Sequence, residues 1–278
     1  MQIIGDLFNT LLLAPVINLV VLILYLLDLL HIPGALGLAI IILTVIIGLI
    51  TWPFKTIQIR TTKKMNETMQ KIKPQIEALK LKFSKDKMGF SQAQAALLKE
   101  HGVNPAAGCL PSILPIFLII PLYQVIFTFF EGGKGLERIN YFIYSQSWRL
   151  DSLPDLNFLG VNLASKPSDF ATIGPAVLLI PVITAGLTFV QSKMMAPIKV
   201  KHYKEDTLRE EKEKEKSEDM TTAMQSQMTY MMPLMIGWIG YTFPIGLAIY
   251  WNTLTILGII QQYYIAGWGG LESLWKKH

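Results

Sequence analysis

Charge is scarce in this sequence. Asp, Glu, Lys and Arg make up only 16% of its 278 residues, and 51% are hydrophobic. A soluble domain carries about a quarter charged residues. Mean hydropathy is +0.40. Several apolar runs are too long and uniform for barrel strands, so the composition reads as an all-α polytopic membrane protein. Cysteine is nearly absent. With Cys109 alone no internal disulfide can form. His31, His101, His202 and His278 are scattered and lack metal-ligand spacing. There is no Walker loop, dinucleotide fingerprint or nucleophile elbow. No cofactor and no bond-making chemistry are therefore expected. The N-terminal MQIIGDLFNT has no basic n-region and no A-x-A site follows, which argues against a cleaved signal peptide. An Arg- and Ser-rich transit peptide is missing too, favouring a prokaryotic plasma membrane.

What charge there is has a pattern. The stretch from Gly34 starts as GALGLAIIILTVIIGLITW, without an ionisable group, and turns polar at Pro53 and Lys55. A transmembrane helix needs about 20 apolar residues, and its Lys/Arg-rich flank stays in the cytoplasm. Residues 35–57 are thus expected to be transmembrane helix 1, running out to in. Residues 58–103 form a basic cytoplasmic helical hairpin with Arg60, Lys63, Lys64, Lys71, Lys73, Lys80 and Lys82. Met65, Met69, Ile72, Ile76, Leu79 and Phe83 follow a heptad stripe that would close the hairpin. Pro74 either interrupts the first hairpin helix or starts a new one. Ser91 and Gln94 fit a capping box for the second, and Gly102 is placed to end it. The basic surface suits anionic lipid, ribosomal RNA or an acidic partner, or simply sets topology.

Elsewhere the chain alternates spans and loops. Residues 1–34 hold an apolar segment interrupted by Pro15, Asn18 and Asp28. It is long enough to span, but with no preceding Lys or Arg the favoured reading is an outer interfacial amphipathic helix. Transmembrane helices 2 to 5 are expected at 104–130, 171–195, 227–242 and 245–266. Between them lie an aromatic extracytoplasmic loop (131–170) and a charged cytoplasmic loop (196–226). The tail, 267–278, is cytoplasmic. The termini are then N-out and C-in.

No span has a carboxylate, Lys or Arg near its middle, which weighs against a proton-coupled transporter. Uncharged polar residues are present: Thr44 and Thr51, Gln124, Thr184, Thr188 and Gln191, Asn252, Thr253 and Thr255. Each alone fits ordinary helix–helix hydrogen bonding; together they allow a hydrated cavity. Met220, Met224, Met228, Met231 and Met235 recur at helical spacing. They fit plain packing, or a pliable surface that greets apolar client segments.

Two motifs carry a resemblance. Gly102-Val103-Asn104-Pro105 with Gly108-Cys109-Leu110-Pro111 opens the second span. Phe243-Pro244-Ile245-Gly246-Leu247-Ala248-Ile249-Tyr250-Trp251, followed by Ile260-Gln261-Gln262, enters the fifth. In this order the chain resembles the YidC-type membrane protein insertases over roughly residues 10–265, closest to the short bacterial forms. The resemblance implies a five-helix bundle and a hydrophilic groove open to cytoplasm and lipid. Nascent membrane proteins would be its clients, with no nucleotide and no small-molecule substrate. The ribosome and the Sec translocon would be candidate partners. Thr44, Tyr250, Trp251 and Gln191 match family positions on the client route. Gly48 stands where the family usually places an Arg, so a charge that attracts acidic client tails is not expected here. The other readings are a non-inserting assembly subunit and a small-solute transporter.

Overall fold

The computed structural model describes residues 2–83, 86–102, 120–196 and 227–274. Helices dominate. In chain order they are α1 (Gln2–Phe8), α2 (Ala14–Leu29), α3 (Ala35–Ile50), α4 (Trp52–Lys82), α5 (Lys87–Glu100), α6 (Ile120–Phe130), α7 (Gly133–Phe142), α8 (Phe170–Ile173), α9 (Leu179–Met195), α10 (Met232–Thr242) and α11 (Ile245–Ala266). One small antiparallel hairpin, β1 (Asn157–Phe158) with β2 (Val161–Asn162), pairs Asn157 with Asn162 and Phe158 with Val161. The protein divides into two units. One is built from segments within 1–51, 115–188 and 233–258, the other from segments within 52–114, 189–232 and 259–278.

By length and composition, Gly5–Leu29 and Pro175–Met195 are able to cross a membrane. Ala35–Ile50 with Trp52–Lys82 makes a third if the broken pair counts as one span. The expected second span is described only from Ile120 onward. Of the last two expected spans, α10 has 11 residues. Helix α11 has the length, 22 residues, but Asn252, Gln261 and Gln262 dilute its apolar character.

The first unit has a single apolar core. Leu13, Ile17, Val21 and Leu24 from the N-terminal helices meet Leu36, Ile40 and Leu43 of α3, Leu122, Val125 and Phe129 of α6, and Tyr250 of α11. A π-helical turn, Asn9–Leu13, precedes α2; widening the helix there accommodates the Pro15 ring. Helix α2 is not polar on its open face: Tyr25, Leu26, Leu29 and Leu30 are all exposed. The region read as a loop, 131–170, is in fact folded. It holds α7, the β hairpin and two short 3-10 turns. Sequence reading missed them because each is too short to show a period.

Three polar and steric ties hold that folded region in the unit. Asn18 of α2 donates through Nδ2 to the Phe142 carbonyl at 2.8 Å and accepts from the Tyr144 amide at 2.8 Å. The Phe158 ring lies in a notch on the first turn of α3. A side chain at Gly37 would strike the ring, and one at Gly34 would come within 2.9 Å of it. Finally, Ile245 and Gly246 amides donate to the Ser165 and Leu163 carbonyls, each at 2.9 Å, which satisfies two first-turn N–H groups of α11.

In the second unit, α4 runs unbroken through Pro74. Neither an interruption nor a new start occurs there. The neighbouring Ile72 and Ile76 are buried with Leu98 of α5, backed by Met65, Met69, Phe90 and Leu97. Burial on both sides of the proline outweighs the missing hydrogen bond. The proposed Ser91 capping box is incorrect. Helix α5 opens earlier, with Asp86 as N-cap accepting from the Gly89 amide at 2.9 Å. It ends at Glu100, with Gly102 in the left-handed region at φ 70°.

Candidate functional site

The candidate groove residues separate by chemistry. The threonines satisfy themselves. Thr44 Oγ1 donates to the Ile40 carbonyl at 2.6 Å, and Thr51 Oγ1 to Ile47 at 2.8 Å. Thr184, Thr188, Thr253 and Thr255 do the same one turn back on their own helices. A hydroxyl bonded in this way crosses apolar surroundings without needing a neighbouring helix. It still keeps a lone pair for a second partner. The expectation of hydrogen bonds between helices is therefore corrected for these six.

Thr44 is completely buried in α3. Gly48, one turn on, faces α11 closely: a Cβ there would lie 2.7 Å from Leu257 Cδ1. The side chain of Leu257 thus occupies the space beside Gly48. Tyr250 is 2% exposed and belongs to the apolar core, so it does not line an opening in this structure. Trp251 is half-buried. With Thr184, Ile236, Ile239, Gly240, Phe243, Leu247 and Ala248 it lines a small, half-open apolar pocket. Gln124 and Gln191 are half-buried, and Gln191 falls in the other unit. Asn252 stands out. Among the described residues, its Oδ1 is the one buried side-chain nitrogen or oxygen with no partner. A buried acceptor of this kind calls for a visiting donor.

The glutamines behave differently from the threonines. Gln261 is 1% exposed; its Nε2 donates to the Trp52 carbonyl at 2.7 Å and to Thr56 Oγ1 at 3.0 Å. Gln262 donates to the Met194 carbonyl at 3.4 Å. Asn66 Nδ2 donates to Met195 at 3.0 Å, and the Gly270 amide to Ala196 at 3.0 Å. Three carbonyls at the end of α9 are thereby satisfied from outside their helix. Sequence reading named Gln261 and Gln262 only as part of a motif; their position on α11 after the apolar stretch was the available signal.

Arg60, Lys63, Lys64, Lys71, Lys73 and Lys82 are exposed on α4, and Lys80 is half-exposed. Of the methionine stripe, Met220 and Met224 lie outside the described residues. Met228 belongs to the π-helical turn Gln227–Met231. Met231 and Met235 are exposed. All of the earlier motif beyond Gly102, Val103 to Pro105 and Gly108 to Pro111, also lies outside the described residues.

Comparison with known proteins places this arrangement. The 60Kd inner membrane protein family matches residues 29–269. The chain belongs to this family, the YidC family. It is 32% identical over 237 residues to the membrane protein insertase YidC of Rickettsia felis, covering 84% of this chain and 35% of that protein. It is 31% identical to the YidC of Rickettsia prowazekii with the same coverage. It is 28% identical over 233 residues to the YidC of Caldanaerobacter subterraneus, covering 84% of this chain and 86% of that one. The chain thus spans about a third of the length of its Rickettsia relatives. As a YidC-family chain of helical, apolar architecture it is a multi-pass bacterial membrane protein, and the family is non-catalytic.

Proposed function

We propose that the chain is a membrane protein insertase and chaperone that inserts and helps fold client transmembrane segments without nucleotide hydrolysis. The family match over 29–269 carries this reading. The bundle has five spans, at 35–57, 104–130, 171–195, 227–242 and 245–266, with the N-terminus outside and the C-terminus inside. Helix α2 does not count among them. Asn18 near its start binds the backbone of Phe142 and Tyr144, in a region that carries Lys134, Glu137, Arg138 and Arg149. Backbone so close to charged, water-facing sequence supports an outer interfacial position for α2.

Nascent membrane proteins are the clients. A client's polar tail enters a groove formed by Thr44, Gly48, Thr51, Gln124, Trp251 and Asn252. The free acceptor of Asn252 and the spare lone pairs of the threonines offset the cost of desolvating that tail, several kcal/mol per uncompensated polar group. Its apolar segment passes into lipid, which returns roughly 25 cal/mol per Å² of buried apolar surface. The basic hairpin of α4 and α5 and the stripe from Met220 to Met231 receive the client, with the ribosome and the Sec translocon as partners.

Gly48 favours one further reading, a subunit that holds and assembles clients without inserting them, since Leu257 fills the place beside it. Purified protein in liposomes tests both. The probe is a small single-span client with a neutral or an acidic tail. Wild type is expected to insert both tails at similar rates and with little salt dependence. Inactive wild type, with insertion gained in Gly48→Arg/Leu257→Ala, establishes the holding role instead.

A further inference from the structure

The tip of the β1–β2 hairpin is unusual for its residue. Leu159 and Gly160 form a two-residue turn with φ of 51° and 82°, the positive values of a type I′ turn. Asn, Asp or Gly normally fills the first of these positions: any Cβ crowds the backbone there, Gly has none, and the short polar side chains of Asn and Asp offset the cost by bonding the local backbone. Leu159 has the wrong chemistry for the turn. It is also 89% exposed, the most exposed of the large hydrophobic side chains among the described residues. Exposed leucines are ordinary and strained leucines are not; strain held at an exposed apolar residue points to a role outside the fold.

Its placement says what that role is. The preceding residue, Phe158, sits in the Gly34–Gly37 notch, so the hairpin is fastened to the first turn of α3. From Ala35 onward α3 carries no charged residue, and in the proposed topology it meets the hydrocarbon layer at that turn. Leu29 and Leu30, at the other side of the notch in sequence, are 65% and 67% exposed. The tip therefore stands at the level where the bilayer begins. A single side chain is far below the roughly 800 Å² per partner that a stable protein contact needs; it is enough for a lipid surface. We infer that Leu159 is a finger that dips into the outer leaflet, fixing the depth of the outer end of the bundle. This rests on the proposed orientation of α3.

A spin label at Leu159→Cys in a Cys109→Ser background, in liposomes of phosphatidylglycerol and phosphatidylethanolamine, tests it. The ratio of collisions with oxygen to collisions with a water-soluble nickel complex is expected to be at least threefold higher than at Asp155→Cys, an exposed position of the same region. Equal ratios at the two sites overturn the inference. A label shielded from both probes also overturns it, assigning the tip to a protein contact. Leu159→Trp checks the result without a label: bromolipid quenching in excess of the parent protein's supports the finger, and no excess sinks it. Neither measurement needs a client, so loss of insertion by the wild type leaves the depth result standing. A water-exposed label with insertion intact removes only the finger.

Discussion

The two units of this protein are held by different physics. The first is joined by apolar packing, with about twenty buried side chains in one cluster. Among the described residues, the second buries Ile72, Ile76 and Leu98 in its cluster, while Gln262, Asn66 and Gly270 satisfy carbonyls at the end of α9 and Gln261 ties the first turn of α4. Burial is non-directional and tolerates sliding. A hydrogen-bonded helix end fixes a position but loses little when exchanged for water. A unit of the second kind opens at lower cost. Such a property would suit the proposed reception of many different clients.

The largest test attacks the first unit. Gly37→Leu drives a side chain into the Phe158 ring and should cost about 3 kcal/mol or more, read as a drop in unfolding temperature in detergent. A stability within error of wild type would show the notch to be slack. Next, Ile72→Ala empties the small seam of α4 and α5 and should cost about 2 to 4 kcal/mol locally. Hydrogen exchange over 87–100 should quicken while 36–43 stays protected; equal acceleration in both would erase the contrast between the units. Gln261→Leu removes two hydrogen bonds, while the Trp52 carbonyl keeps the one from Thr56 Oγ1, an effect of about 1 to 3 kcal/mol. Faster exchange over 53–60 is the expected sign. The smallest effect is Thr44→Val, under about 1.5 kcal/mol, because its hydroxyl bonds only its own helix. If client insertion nevertheless falls several-fold at unchanged stability, the spare lone pair of Thr44 serves the client.

Much of this was readable in the chain. Uniform apolarity from Gly34 to Thr51 announced α3, since a helix without charge must leave water. The spacing of Ile72 and Ile76 announced the seam. The start of α5 was misplaced because Ser91 and Gln94 mimic a cap in sequence, whereas Asp86 makes the bond. The polar residues of the spans were identified by type, but not their partners. Threonine reaches its own helix and glutamine reaches another, and side-chain length alone does not say which carbonyl is near.

The sequence by itself determined the membrane class, the predominance of helix and the family, because these depend on composition and on order along the chain. Tertiary structure alone decided that 131–170 is a folded region, that Phe158 locks into α3, that Leu257 fills the space beside Gly48, and that Asn252 is left with a free acceptor. Each of these depends on which residues far apart in sequence meet or fail to meet, set by shape and hydrogen-bond geometry, and local pattern carries no record of either.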